Sequence, residues 1–560
     1  MKQQIRLLTL IISLLLTFGQ VFAQTRNNDF EISKNLEIFS DLYKQLDMNY
    51  VDDISPGELM KTGIDKMLES LDPFTNYIPE SDIEDYKLMT TGQYGGIGAL
   101  IHKQGDYVVI SEPYEKFPAN KSGLVPGDKI LEVDGKPAKG KTTDEVSKIL
   151  KGEPGTTINL LIEREGTAKP FIVNIQRENI KIDNIPYYSM INPQTGYIKL
   201  SGFTQNASSE VKKAFSSLRE KNDLKGLVFD LRGNGGGLLN EAVDIVNIFT
   251  DKGELVVSTK GKETARNKSY YTTNKPEDTE IPIVVLVDEA SASASEIVAG
   301  ALQDMDRAVI VGQRTYGKGL VQNVFPISYN SQVKITVAKY YIPSGRCIQA
   351  IDYSHRNIDG IASKVPDSLI SEFKTKNGRK VYDGGGIEPD VYSNPEKISP
   401  ITVALLSKFI IFDYANKFAR EHDSIPPARE FAITDEIYND FISFVNSRKD
   451  FEYTTASEQT LRKLREVAEI EEYYDNIQSE ISQLEAKLMH NKNDDLNLQK
   501  DEISEIMKIE IVSRYYYQKG KVEASLVDDP EVKQAITLIE EKNQYSSILS
   551  GNIKPSGKLN

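Results

Sequence analysis

Residues 283–303 read IVVLVDEASASASEIVAGALQ. The first five, Ile283 to Val287, are apolar without alternation, the pattern of a strand buried on both faces. A turn of small residues follows, and Glu296 to Gln303 then carries a helical apolar pattern. Strand, tight turn and helix in that order form one half of an α/β repeat. The surrounding sequence repeats the unit. A helical pattern over 207–221 leads to a strand at Gly226–Asp230, a glycine-rich turn and a helix at Leu238–Phe249, and Val309–Gly312 is a further strand. The segment from Tyr197 is therefore expected to be a layered α/β domain.

Texture changes on both sides of this domain. From Gly92 to Asn179 the chain breaks into short strands separated by glycine turns: Val108–Ile110, Ile130–Val133, Ile158–Ile162 and Phe171–Ile175. Asp134-Gly135 is a tight-turn pair, and a short helix is expected at Thr143–Leu150 with Thr143 as its cap. Before Tyr86 the pattern is helical, with Phe39, Leu42, Tyr43 and Leu46 in one stripe and Leu59, Ile64, Met67 and Leu68 in another, until Pro73 and Pro79 end it. Beyond Pro400 the chain reads as helical to its end. Val467, Ile470, Tyr474, Ile477, Ile481, Leu484 and Leu488 keep a three–four spacing, which suits a helical hairpin, a short coiled coil, or a face packed on its own domain.

Composition narrows the chemistry. The 560 residues include 82 acidic and 67 basic side chains, a net charge of −15, which argues against nucleic acid as a partner. One cysteine, Cys347, excludes a disulfide framework and cysteine-rich metal sites. The four histidines, His102, His355, His422 and His490, are scattered and form no metal-binding pattern. At the start, Lys2 and Arg6 precede an apolar run from Leu7 to Phe18, and Val21-Phe22-Ala23 resembles a cleavage site before Gln24. The run is short for a membrane span. An exported chain is expected, which also takes ATP and NAD off the list of cofactors.

Four stretches could carry chemistry. In Ser291-Ala292-Ser293-Ala294-Ser295-Glu296, a hydroxyl at a strand-to-helix turn sits beside the free N–H groups of a helix start. A second account needs no catalysis, because Ser293 with Glu296 is a capping box. Gly312 to Gly319 nearly matches a phosphate loop but ends in Gly319 where a hydroxyl is required, and the strand-like Leu320–Pro326 follows instead of a helix. It does place Lys318 between two glycines. A desolvated ammonium gives up its proton more readily and can then act as a base, whereas most lysines are solvated. Asp230-Leu231-Arg232-Gly233-Asn234-Gly235-Gly236-Gly237 can turn backbone N–H groups toward a ligand, or be a plain turn with an Asp230–Arg232 ion pair. Tyr94-Gly95-Gly96-Ile97-Gly98-Ala99 can hold a peptide carboxylate where a glycine loop enters a strand.

Together these stretches resemble the C-terminal processing (tail-specific) serine peptidases. The resemblance runs over most of residues 36–392. It includes Leu71-Asp72-Pro73, Gly95-Gly96-Ile97-Gly98, Ser122-Gly123-Leu124 with Pro126-Gly127-Asp128, Asp134-Gly135, Asp230-Leu231-Arg232, Ser291 to Glu296, Gly317-Lys318-Gly319 with Val321-Gln322, Tyr341 to Arg346 and Gly386 to Asp390. The chain departs from the family at Phe74-Thr75, where His-Ser is common, and the motifs stop near Pro400.

The resemblance implies a multidomain α+β protein. A signal peptide (1–23) and a helical region (24–86) precede a PDZ-like β-rich module (87–178). A layered α/β peptidase core of the ClpP/crotonase-like type (179–395) and a helical domain (396–560) follow. It implies that Ser293 is the nucleophile, Lys318 its general base and Gln322 the residue orienting the lysine. Gly237 and Ala294 would supply the oxyanion hole, and Gly96, Ile97, Gly98 and Ala99 would line the site for a substrate tail. No cofactor or metal is implied. The expected partners are protein substrates held by their C-terminal tails, a second copy in a homodimer and an adaptor protein, in the bacterial periplasm or at its membrane. A catalytically silent PDZ scaffold on the same fold is the alternative. A Ser–Lys pair is a known variant of triad chemistry, and a neutral Gln322 positions an amine without favouring its charged form. If Lys318 is the base, peptide cleavage rises with pH as the ammonium loses its proton, and an acidic optimum in a rate profile contradicts that role.

Overall fold

The computed structural model describes residues 29–357, 360–394, 397–449, 451–488 and 491–552. The expected signal segment, His490 and the last eight residues lie outside them. The chain divides into two compact units; the first ends at Tyr77 and takes in Val333–Ile335, and the second holds the remainder.

In the first unit both expected helical stripes are present, at 29–49 and at Pro56–Glu69, the latter with proline in its first turn. Asp72 closes the turn that follows. Its carboxylate accepts the N–H groups of Phe74 and Thr75, each at 2.8 Å, and the Thr75 hydroxyl at 3.0 Å. The departure at Phe74-Thr75 therefore keeps a hydroxyl that this turn uses.

The second unit opens on the β-rich module. Ala99–Gln104, Tyr107–Pro113, Lys129–Val133, Thr157–Glu163 and Phe171–Gln176 form an antiparallel sheet in chain order. Ile158, Leu160 and Ile162 alternate inward, as a half-buried strand requires, and pack with Val108, Ile130, Val146 and Leu150. The helix Thr143–Leu150 is capped by Thr142, one residue earlier than expected. Glu145 N–H donates to the Thr142 hydroxyl (3.2 Å), and the Glu145 carboxylate accepts Thr142 N–H (2.7 Å). Asp128 of the Pro126-Gly127-Asp128 motif is buried and takes a two-pronged ion pair from Arg164 at 2.6 and 2.7 Å. That motif is structural: it ties the loop to the sheet.

The peptidase-like core is a six-stranded sheet ordered Tyr187–Met190, Thr195–Lys199, Gly226–Asp230, Ile283–Val287, Val309–Gly312 and Val391–Tyr392. All pairs are parallel except the first. Gly226–Asp230 and Ile283–Val287 are buried at every residue, as their unalternating apolar sequences require. Phe229, Val285 and Ile310 face the helices Ala207–Lys221, Leu239–Phe249 and Ala294–Asp304. Val228, Val284, Leu286 and Val311 point the other way.

Sequence reading did not place the cover of that second face. It consists of the helices Pro530–Glu540 and Lys542–Leu549, through Val532, Leu538, Ile539, Tyr545 and Ile548. Contact is close enough that a Cβ on Gly226 would meet Ile539 at 2.2 Å. The Tyr545 hydroxyl donates to the Ile283 carbonyl (3.0 Å) and accepts Ile283 N–H (2.9 Å). These two helices thus complete a three-layer core.

The helices Pro400–Ser407, Ile410–Glu421, Asp435–Ser447 and Lys500–Ser525 enclose a separate core around Leu405, Tyr414, Phe441 and Met507. The three–four stripe from Val467 to Leu488 is a hairpin of Ala456–Ile470 and Tyr474–Leu488, broken where Glu472 takes φ +60°. The β-rich module rests on this helical region. His102 stacks on Phe409 with ring centroids 4.2 Å apart, and Asn120 donates to the Tyr517 hydroxyl at 3.0 Å.

Because the C-terminal helices bury the second sheet face, Leu538→Ala is expected to cost about 2–4 kcal/mol. Urea unfolding measures this, and an unchanged midpoint contradicts the three-layer account.

Candidate active site

The three serines after Ile283–Val287 separate by what their hydroxyls do. Ser291 donates to the Leu231 carbonyl at 2.9 Å, and Ser295 to the Asn234 carbonyl at 2.8 Å; both side chains are fully buried. These two serines fasten the turn to the glycine loop. Ser293 is only part-buried and stands at φ +56°, where an L-residue is strained by roughly 1–3 kcal/mol. The helix begins at Ala294, two residues earlier than expected, so Ser293 is the last residue before it.

Glu296 does more than cap. Its side chain is buried, and its carboxylate accepts Ser293 N–H at 2.8 Å, as a capping box would have it. The same carboxylate also accepts the Thr315 hydroxyl at 2.6 Å, Gly317 N–H at 2.8 Å and Lys318 N–H at 2.9 Å. One oxygen, Oε2, bridges the backbones of Ser293 and Lys318. Burial pushes the Glu296 carboxyl above the usual glutamate range, against the hydrogen bonds that pull it down. Tyr340 adds a further tie, its hydroxyl donating to the Ser293 carbonyl at 3.2 Å.

The glycine loop after Gly226–Asp230 lies against this turn. A Cβ on Gly236, which has φ +96°, would sit 2.8 Å from both the Ser293 Cβ and the Ala294 nitrogen. Only glycine fits there. Asn234 anchors the loop: its side chain donates to the Leu200 carbonyl (2.8 Å) and accepts Gly236 N–H (2.9 Å), while its carbonyl accepts Ala292 N–H (3.0 Å). Phe203 bridges Gly237 by bonding to the Gly236 carbonyl and Leu238 N–H. That pattern turns the Gly237 N–H away from Phe203.

Asp230 and Arg232 form the ion pair that one reading of the loop anticipated, with contacts of 2.7 and 3.0 Å. Arg232 also reaches Asp529 and Glu531, each at 2.7 Å, which joins the loop to the covering helices. Burial alone would raise the Asp230 carboxyl, but Arg232 and Lys199 outweigh it and hold the group well below the usual range. The Gly386 to Asp390 motif braces the lysine turn, and the Tyr341 to Arg346 motif fastens the end of the helix that begins at Ala294. Thr315 and Ile387 exchange hydrogen bonds of 3.1 and 2.7 Å, and Arg346 pairs with buried Asp304 at 2.9 Å.

Lys318 is part-buried and leads into the strand Leu320–Pro326, expected at those same residues. Gln322 lies within that strand, four residues on from Lys318. It donates to the Thr336 hydroxyl at 3.2 Å.

In the β-rich module, Ala99–Gln104 is an edge strand, paired on one side only. A cavity of about 290 Å³ lies beside it, lined by Tyr94, Ile97, Ala99, Ile101, Leu150 and Lys151 among others. Of the four expected substrate-tail residues, Ile97 and Ala99 line this cavity. Gly96 ends the strand Gln93–Gly96, and Gly98 makes the bend after Ile97 at φ +71°.

Known proteins match the chain in the same order. "Peptidase family S41" matches residues 194–366, "PDZ domain" residues 109–164, and "Probable PDZ-protease, C-terminal helical domain" residues 401–539. A carboxy-terminal-processing protease of Bartonella bacilliformis is 37% identical over 330 residues, covering 58% of this chain and 75% of the relative. The chain belongs to peptidase family S41. Within S41 it is a PDZ-containing member of the C-terminal processing peptidases, which are serine peptidases. A "Probable CtpA-like serine protease" of Staphylococcus aureus is 37% identical over 318 residues, and the match spans 56% of this chain but only 62% of that relative. Among solved structures, the photosystem II D1 C-terminal processing protease is 28% identical, with 64% of this chain and 92% of that one covered and a TM-score of 0.35.

For this S41 chain, sequence reasoning gave Glu296 only a capping role and Asn234 none. The signal for Glu296 was present as the S-x-x-E spacing; its bonds to Gly317 and Lys318 were not, because they join separate turns. Glu296→Gln puts an NH₂ donor among N–H donors. It is expected to cost about 1–3 kcal/mol of stability and to lower peptide cleavage at least about tenfold. Unfolding curves and initial rates matching the unsubstituted protein contradict the bridging role.

Proposed function

We propose that this chain is an exported serine endopeptidase acting near the C-termini of protein substrates, with Ser293 as nucleophile and Lys318 as general base. The observation that carries this reading is the bridge from one Glu296 oxygen to the backbones of Ser293 and Lys318. A serine hydroxyl is a weak nucleophile until a base takes its proton, and a neutral lysine amine can take it.

In the proposed reaction the Ser293 hydroxyl adds to the scissile carbonyl as its proton passes to the Lys318 amine. The N–H groups of Gly237 and Ala294 receive the developing oxyanion. Lys318 returns the proton to the leaving amine, which departs with the C-terminal fragment. Water then hydrolyses the acyl-enzyme, giving its proton to Lys318 and regenerating the serine. The close approach of Gly236 to Ser293 and the outward turn of Gly237 N–H favour this hole. Gln322, in the strand that follows the lysine, steadies the amine in this scheme.

The open edge of Ala99–Gln104 and its adjoining cavity suit capture of a tail as an added strand. Ile97, Ile101 and Leu150 make that cavity apolar, so tails ending in an apolar residue are preferred. The positive start, apolar run and small-residue site before Gln24 support export to the periplasm.

Ser293→Ala and Lys318→Ala should each lower cleavage of a peptide substrate by at least about a thousandfold while the unfolding midpoint stays near that of the parent. Full activity in purified Lys318→Ala would sink the proposed pair.

A further inference from the structure

We propose that Tyr340 is a positioning residue for the nucleophile: its hydroxyl holds the Ser293 carbonyl, and with it the Ser293 side chain, in the orientation that attack requires. The role rests on the reading of Ser293 as nucleophile given above. Ser293 stands at φ +56° and ψ −111°, outside the regions that an L-residue adopts freely. The direction of its side chain is set once the peptide groups on its two sides are set. The preceding group is held through Ser293 N–H, which donates to Glu296 at 2.8 Å. The following group is held through the Ser293 carbonyl, which accepts Ile297 N–H at 3.0 Å and the Tyr340 hydroxyl at 3.2 Å. The bond from Ile297 is the first bond of any helix. The bond from Tyr340 comes from outside the helix, and a regular helix start has no need of it.

Tyr340 also reaches the lysine turn. It lies near the end of the strand Gln332–Tyr341, and its N–H donates to the Gly319 carbonyl at 2.9 Å. One residue therefore gives a side-chain donor to the Ser293 carbonyl and a backbone donor to the residue after Lys318. Glu296 gathers the N–H groups of Ser293 and Lys318, and Tyr340 supplies donors to carbonyls of the same two turns. The second bridge is thus the complement of the first.

The Tyr340 ring is fixed independently of the site. It is 2% exposed and packs in the same core as Val257, Ile297 and Val298, while its backbone pairs with Thr259 of the strand Leu255–Gly261. Burial, and after it the charge of Glu296, pushes the Tyr340 hydroxyl far above the usual tyrosine range, so it stays a donor. Tyr341, with which the sequence motif begins, alternates to the other face of the strand, and its ring centre lies 4.5 Å from the Lys260 ammonium. Removing the Tyr340 hydroxyl leaves the Ser293 carbonyl bonded to Ile297, so no buried acceptor is orphaned. The loss then falls on the orientation of Ser293 and spares the fold.

The test is Tyr340→Phe in the full chain, with peptide cleavage, labelling by a fluorophosphonate probe and thermal unfolding read together. The value of kcat should fall at least about tenfold while KM stays within about twofold. Labelling should slow by a similar factor, and the unfolding midpoint should stay within about 3 °C of the parent. Tyr340→para-aminophenylalanine places an N–H donor where the hydroxyl was and should raise kcat at least about fivefold over Tyr340→Phe. The role is overturned if Tyr340→Phe keeps the parent kcat, if its loss lies in KM alone, if the midpoint falls in step with activity, or if the amine variant is as slow as Tyr340→Phe. Ser293→Ala separates this role from the reading beneath it. Probe labelling of Ser293→Ala at the parent rate overturns the nucleophile and this role with it, whereas a silent Ser293→Ala beside a fully active Tyr340→Phe overturns this role alone.

Discussion

The Glu296 carboxylate is the interaction on which the site depends. Buried charge is costly unless its lone pairs are filled. Here the donors come from two turns, the Ser293 backbone on one side and Thr315, Gly317 and Lys318 on the other. Neither turn can shift without orphaning a buried acceptor, a loss of about 1–3 kcal/mol. The strained φ of Ser293 is held by this carboxylate, by Tyr340 and by the glycine loop packed against it. Local strain persists only where its surroundings over-determine it, and this turn is tied on every side.

The scaffold behind the site works by the same logic of shared partners. Asn234 serves the glycine loop, the serine turn and the Leu200 strand end with one side chain and one carbonyl. Arg232 links Asp230 at the end of a core strand to Asp529 and Glu531 at the start of a covering helix. The C-terminal helices are thereby coupled to the loop that faces Ser293. The S41 core is a three-layer structure in which the third layer arrives last in the chain. Folding of the sheet leaves an apolar face that the helices Pro530–Glu540 and Lys542–Leu549 cover together with Val522 and Leu526, so this C-terminal sequence contributes directly to the stability of the core.

Much of this was legible locally. Ile283–Val287 and Leu320–Pro326 were readable to the residue, because a short apolar run bounded by a turn or glycines has few other solutions. The helices near 207–221 and 239–249 followed from apolar spacing. Boundaries moved where capping decided them. Thr142 rather than Thr143 caps its helix because it makes the reciprocal bonds with Glu145, and Ala294 rather than Glu296 begins the helix behind Ser293. The three-serine motif could be read from sequence, but the division of labour within it could not. Ser291 and Ser295 become structural through carbonyls that belong to a different strand and loop.

The sequence by itself determined the periodicity of strands and helices, the glycines that allow backbone to approach backbone, and the small set of residues from which chemistry could be drawn. Those properties depend on near neighbours along the chain. Tertiary structure alone decided that Glu296 would join the serine turn to the lysine turn, that Ile539 would close on Gly226, and that Gly152 would bond to the loop at Gly95. Each is a contact between segments that no local pattern links, and each exists because the sheet order and the packing of its two faces bring the segments together.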